Sequence, residues 1–240
     1  MGEFFKTSSS PVGHGFTQAN LDNDFASYSF EPKSDLPIKV IVLDDTQRNE
    51  DFNVHEHGYL NQERYDWLVK ELDKGQAEGK LMIIAAHIPI NAFGVTASAP
   101  IKRSQLIAKL NTYPNLLLWV AGHRHRNVVT ARKSPDSARP ELGFWEVETS
   151  SLRDFPQQFR TFQIARNSDN TISIFATNVD PAVKEGSFAA ISRSYAVAAL
   201  QLFKYSLDIP PSGSYNAELL KQLSAEMQAK IRNYGTPITQ

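Results

Sequence analysis

Cysteine is absent from the 240 residues of this chain. Disulfides and thiolate metal sites are therefore excluded, and any metal must be held by His, Asp, Glu, Asn or backbone oxygen. Net charge is nearly absent too: 25 Lys and Arg stand against 26 Asp and Glu, which gives no electrostatic reason to expect nucleic acid or an anionic membrane as a partner. The apolar runs fall well short of the roughly 20 residues that cross a bilayer. The first residues, "MGEFFKTSSSPVGHGF", lack the basic-then-apolar order of a secretory signal, so the sequence leaves the compartment open. Histidine is scarce as well, with six in the chain, and two of them flank one arginine in "LLLWVAGHRHRNVV".

What is present reads as an α/β pattern. "FASYSF" and "IKVIVLDD" predict a strand pair, the second ending in Asp44 and Asp45. "LNQERYDWLVKELDKG" predicts a helix with Asn61 as N-cap and Gly75 as its stop. "KLMIIAAHIPI" and "LLLWVAGH" are buried strands, with the helix of "IKRSQLIAKLNTYPN" between them. After Asn127 the segments "NVVTAR", "GFWEVET", "FRTFQIA" and "TISIFATNV" predict a meander of antiparallel strands. Two helices are expected in the tail, over "FAAISRSYAVAALQLF" and "NAELLKQLSAEMQAKIRN". In the second, Leu219, Leu223, Met227 and Ile231 recur every fourth residue.

His123 and His125 follow one apolar strand, and His87 ends another. In an extended segment, residues two apart face the same side. Both imidazoles are then expected on one side, with α-carbons ~6.6 Å apart at ~3.3 Å per residue. That offset suits two ions ~3.5–4 Å apart better than one ion taking both rings. Carboxyl ends of parallel strands are where open α/β sheets bind ligands. Beside this metal reading stand plainer ones: a surface histidine at position 87, or an H-x-H arising by chance. Arg126 and Asn127, directly after the histidines, are candidate phosphate contacts. Arg153 and Asp154 read as part of a turn between strands or as substrate contacts, and Trp119 and Trp145 as core.

"IIAAHIPI" and "VAGHRHRN" resemble the last two motifs of the calcineurin-like metallophosphoesterases, a strand ending in His and a strand ending G-H-x-H. "IKVIVLDDTQ" with "GYLNQERYDWLVKEL", and "GFWEVETSSLRDFPQQFRTFQI", extend the resemblance, the latter to bacterial members, over about Phe25 to Asp180. The resemblance implies that His87 and His123 share one metal, that His125 binds a second, and that iron, manganese or zinc polarises a phosphoryl oxygen. The implied substrate is a phosphate mono- or diester. The implied fold is a two-sheet β-sandwich flanked by helices (αββα), followed by C-terminal helices. Residues 1–180 would then be the C-terminal part of the domain and 181–240 a helical extension packed on it.

The family's earlier motifs, D-x-H, G-D and G-N-H, do not occur. Asp44 and Asp45 match a later strand, not the bridging acid, while His14 in "VGHGF" and the "HEHG" pair His55 and His57 are only loose imitations. The chain is therefore expected to be incomplete at the N-terminus of the domain, with unpaired strands at an open sheet edge through which copies could associate. Three neutral histidines alone do not offset the ~+4 charge of two dications. One bound ion or none is expected for this chain, with little turnover. Two further readings stay open: an inert fragment or association module, and a single zinc on three histidines with an open water position.

Overall fold

The computed structural model describes residues 1–8, 10–46, 57–94, 99–202 and 216–238. A short helix, α1 (Gln18–Asp22), precedes strand β1 (Tyr28–Phe30), which pairs antiparallel with β2 (Ile38–Val42). Helix α2 (Gln62–Ala77) leads to β3 (Leu81–Ala85), and α3 (Arg103–Leu110) leads to β4 (Leu116–Ala121). β2, β3 and β4 are parallel neighbours, as strands joined by helical crossovers must be. β5 (Val128–Arg132) and β6 (Phe144–Glu148) complete a six-stranded sheet of order β1-β2-β3-β4-β6-β5. A second sheet contains β7 (Phe159–Arg166), β8 (Ile172–Val179) and β9 (Ala217–Lys221), all antiparallel. Helices α4 (Phe188–Leu202) and α5 (Ala225–Ile231) lie either side of β9 in sequence.

The large sheet divides two cores because its strands are apolar on both faces. On one face Ile41, Met82, Ile84 and Trp119 meet Leu68 and Leu72 of α2 and Leu106 and Leu110 of α3. On the other, Ile38, Leu81, Leu118 and Val147 meet Ile172, Ile174 and Leu219 of the second sheet. Met227 and Ile231 of α5 close this second core. The protein is thus a mixed α/β fold, with two sheets packed together and helices over the outer face of the larger one.

Three sequence expectations are corrected. The strands after Asn127 are not one meander: β6 runs parallel to β4 and inserts between β4 and β5, while β7 and β8 belong to the other sheet. Gly75 does not stop α2, which continues to Ala77. It is buried against β3, where an added Cβ would lie 2.5 Å from the Met82 sulfur. Finally, the helix expected over 216–233 is a strand followed by a short helix. In β9, Leu219 and Lys221 point inward while Glu218 and Leu220 point out, a period of two, and Leu219 pairs with Ile174. Ser224 then caps α5 by accepting the Met227 N–H at 3.2 Å. All four stripe residues are buried, but the every-fourth spacing runs across the junction of two elements.

β1, three residues long, is the strand at one edge of the large sheet. Among the described residues, no helix is long and apolar enough to cross a membrane.

Candidate histidine site at the carboxyl edge

β3 and β4 end side by side, and the chain leaves each through a loop that carries histidine. The two loops are joined through their backbones: the Gly122 N–H donates to the His87 carbonyl at 3.0 Å. His87 and His123 consequently face one another, with ring centroids 5.2 Å apart and planes at 78°. Burial holds the His87 imidazole below its ordinary pKa, helped by the positive charge that His123 and His125 can carry. It therefore favours the neutral form, which is the form that can act as a base or ligand.

The H-x-H segment is not extended. β4 stops at Ala121, and His123 and His125 adopt φ of 71° and 55°, in the left-handed region. The Arg124 N–H returns to the Gly122 carbonyl at 2.9 Å, so His123 sits at the apex of a γ-turn, a rare and strained conformation. The expectation that both rings share a face by strand alternation is corrected: His123 meets His87, whereas the Nδ1 of His125 makes a short contact with an Asp154 carboxylate oxygen.

Asp154 belongs to the turn between β6 and β7. Burial acts to raise its carboxyl, but hydrogen bonds from Arg153 and His125 outweigh it and leave the group below the usual carboxylate range. Asn127 is buried, its amide donating to Gln158 at 2.7 Å and accepting from the Ser150 N–H at 3.0 Å. That amide fastens the loop to the segment ahead of β7. Arg126 is exposed.

Three acids support this edge from behind. Asp45, fully buried just beyond β2, accepts the backbone N–H of His87 at 3.1 Å and of Ile88 at 3.0 Å. Burial pushes its carboxyl up to about 7 against the pull of those donors. Glu146 and Glu148 lie two apart on β6 and so face the same way. Glu146 accepts from the Ile90 N–H at 2.7 Å, and Glu148 grips the Arg124 guanidinium with both oxygens. One strand thus holds both histidine loops. The sequence does not mark these acids or Asp154 as partners of the histidines; for Glu146 and Glu148 the signal is acid at alternate positions of "FWEVE", where a buried face is expected.

No protein-family model matches the sequence, and no curated protein matches it. Among solved structures, the chain is similar to a crystal structure of a dimetal phosphatase from Danio rerio. The TM-score is 0.48 and the identity 12%, covering 75% of this chain and 64% of that one. The chain spans less than two-thirds of the length of that structure, and a likeness at this level assigns no activity.

His14 bonds Thr7 at 2.7 Å and packs on Phe4. His57 has a buried Nδ1 without a hydrogen-bond partner among the described residues, and the adjacent Gly58 bridges to Phe93 and lies so close to Ile88, the residue after His87, that an added Cβ would come within 3.0 Å of it. His55 lies outside the described residues. A three-ligand metal site needs its donor atoms within ~2.0–2.2 Å of one point. Among the described residues, no group of three or more His, Asp or Glu is so placed. The donor chemistry suits a borderline cation, but the arrangement is not a closed ligand set.

Proposed function

We propose that this chain carries the histidine part of a metal-dependent phosphoesterase site, with His87, His123 and His125 as the ligands it contributes and a phosphate mono- or diester as substrate. The observation that carries the reading is the 5.2 Å approach of His87 and His123 at the carboxyl ends of two adjacent parallel strands. The contact of His125 with Asp154 supports it. A ligating histidine commonly gives its other ring N–H to a carboxylate, which fixes the ring and leaves the opposite nitrogen for the metal. A bound divalent ion would supply Lewis acidity toward a phosphoryl oxygen.

The chain's own residues would then divide the work. His87, held neutral by burial, offers a lone pair at near-neutral pH. Asp154 fixes His125, and Asp45 holds the loop on which His87 sits. Arg126, exposed just past the histidines, would meet a phosphate oxygen. No carboxylate joins the histidines as a ligand among the described residues. The affinity of this chain alone should therefore be low, and turnover slow.

Equilibrium dialysis against manganese or zinc, followed by metal analysis, tests the proposal. One ion per chain is expected, lost in His123→Ala and reduced in His87→Ala and His125→Ala. Slow release of p-nitrophenol from its phosphate mono- or diester should follow the same order. Wild-type chain that retains no ion, or retention indifferent to all three substitutions, overturns the reading in favour of an inert fragment.

A further inference from the structure

The loop 122–127 carries two residues in the left-handed region, His123 and His125, and a turn of the strained γ type. Backbone of this kind persists only where its surroundings over-determine it. Packing on Gly122 does not supply the restraint, because a Cβ added there would meet nothing within 4 Å. The strand register points to something else. β6 lies between β4 and β5, and Glu148 pairs with Ala121 on one side and with Val128 on the other. The loop therefore arches over the end of β6, and Glu148 stands at the foot of both its arms.

Arg124, between the two histidines, reaches down to that foot. Its Nε donates to both Glu148 oxygens at 3.1 Å, and its Nη2 donates to Oε2 as well. The carboxylate side chain is 2% exposed and that of the arginine 35%. A forked pair of this kind fixes direction as well as distance. Glu148 shares a face of β6 with Phe144, which lies in the helix-side core, whereas Trp145 and Val147 pack toward the second sheet. His125 is tied elsewhere, to Asp154 in the turn that leads into β7 of the second sheet. Neighbouring residues of one bend are thus fastened to two different parts of the fold.

We propose that Arg124 and Glu148 are positioning residues, a charged clamp that holds the H-x-H bend in the shape that sets the His123 ring against His87. Neither would touch the ion or the ester. The inference rests on the reading that His87, His123 and His125 are ligands, since only then does the shape of the bend have a chemical use. The line of contact is short. Glu148 is fixed by its ladder neighbours and Arg124 by Glu148. The Arg124 N–H is held by the Gly122 carbonyl, and the Gly122 N–H by the carbonyl of His87. Releasing the guanidinium lets the bend relax toward unstrained backbone, and the two rings part.

The test compares the full chain with Glu148→Gln, Arg124→Gln and the two combined. It reads the nuclear Overhauser contact between the His87 and His123 rings in metal-free protein, manganese affinity by equilibrium dialysis, and the urea midpoint. Glu148→Gln releases a guanidinium that water can reach, so the midpoint should fall little. The ring contact should weaken, and manganese should bind about tenfold more weakly. Arg124→Gln strands a buried carboxylate and should lower the midpoint most. The combined variant strands no charge: its midpoint should recover, while ring contact and affinity stay as low as in Glu148→Gln. An ion pair that serves stability alone predicts that ring contact and affinity return with the midpoint, and that result overturns the clamp. So does a ring contact unchanged in Glu148→Gln. Should a single variant fail to fold, the combined one decides on the same terms. Wild-type protein that binds no manganese removes the phosphoesterase reading, while the ring contact, read without metal, still judges the clamp.

Discussion

The Asp45 carboxylate accepts the backbone N–H of His87 at 3.1 Å, although 42 positions separate the two residues in sequence. It also takes the N–H of Ile88, so one buried acid satisfies both donors of the turn that presents the imidazole. A buried donor stripped of its acceptor costs about 1–3 kcal/mol. Asp45→Ala should therefore lose at least that much in urea unfolding and should displace the His87 ring resonances in NMR. Asp45→Asn, which keeps one acceptor oxygen, should lose less. Unchanged His87 resonances in Asp45→Ala would show that the acid does not hold the loop.

Asp154 acts on His125 through one ring nitrogen. Asp154→Asn keeps the size of the side chain but removes its charge, and should let the ring reorient and sample both tautomers. Nitrogen shifts of the imidazole report this directly. Manganese affinity should fall about 10–100-fold if the carboxylate orients a ligand. An undisturbed tautomer would reduce Asp154 to an ordinary turn residue.

Gly75 is a packing position in the interior of α2. Restoring a side chain there gains about 1 kcal/mol of helix propensity but drives a Cβ to 2.5 Å from the Met82 sulfur. Overpacking of this kind costs roughly 1–3 kcal/mol. Gly75→Val, too large to be accommodated by a small shift, should lower the thermal midpoint; Gly75→Ala should lower it less. A rise in both would show that α2 can move away from β3.

Lys221 reaches from β9 to the carbonyls of Glu141 and Gly143, the latter at 2.6 Å. Burial pulls its ammonium down to about 7, with the Glu141 carboxylate acting the other way. Between about 7 and the unfolded value near 10.4, the unfolded chain then binds a proton that the folded chain does not. Stability contributed by this group should rise with pH across that window, and below it the full burial cost is present. Denaturant midpoints at pH 7 and pH 9.5 should show the rise in wild-type protein, and Lys221→Met should flatten it. A wild-type slope identical to that of the variant would refute the assignment.

The sheet centre was legible because parallel strands covered on both faces are written as unbroken apolar runs, as in "KLMIIA" and "LLLWVA". Asn61 could be read as a cap because its side chain does one local job, accepting the Arg64 N–H at 2.9 Å. Residues 217–221 read as helix in the sequence because Leu219 and Leu223 satisfy a helical interval, although Leu219 lies in β9 and Leu223 in the loop before α5, and only pairing with β8 decides the matter. The histidines were visible as candidates, but their conformation was not. Strand alternation does not carry past Ala121, where β4 ends. Asp154, Glu146 and Glu148 are not legible as partners in the sequence because their meaning lies in contacts 24 to 56 positions away.

The backbone at His123 and His125 has a consequence for anyone who wishes to toughen this protein. Glycine would sit at either position with less torsional penalty, by about 1–2 kcal/mol. A search for thermal hardiness alone would be drawn to this bend early, and its first gains there would come from erasing imidazoles. Durability and chemistry compete on the same two α-carbons.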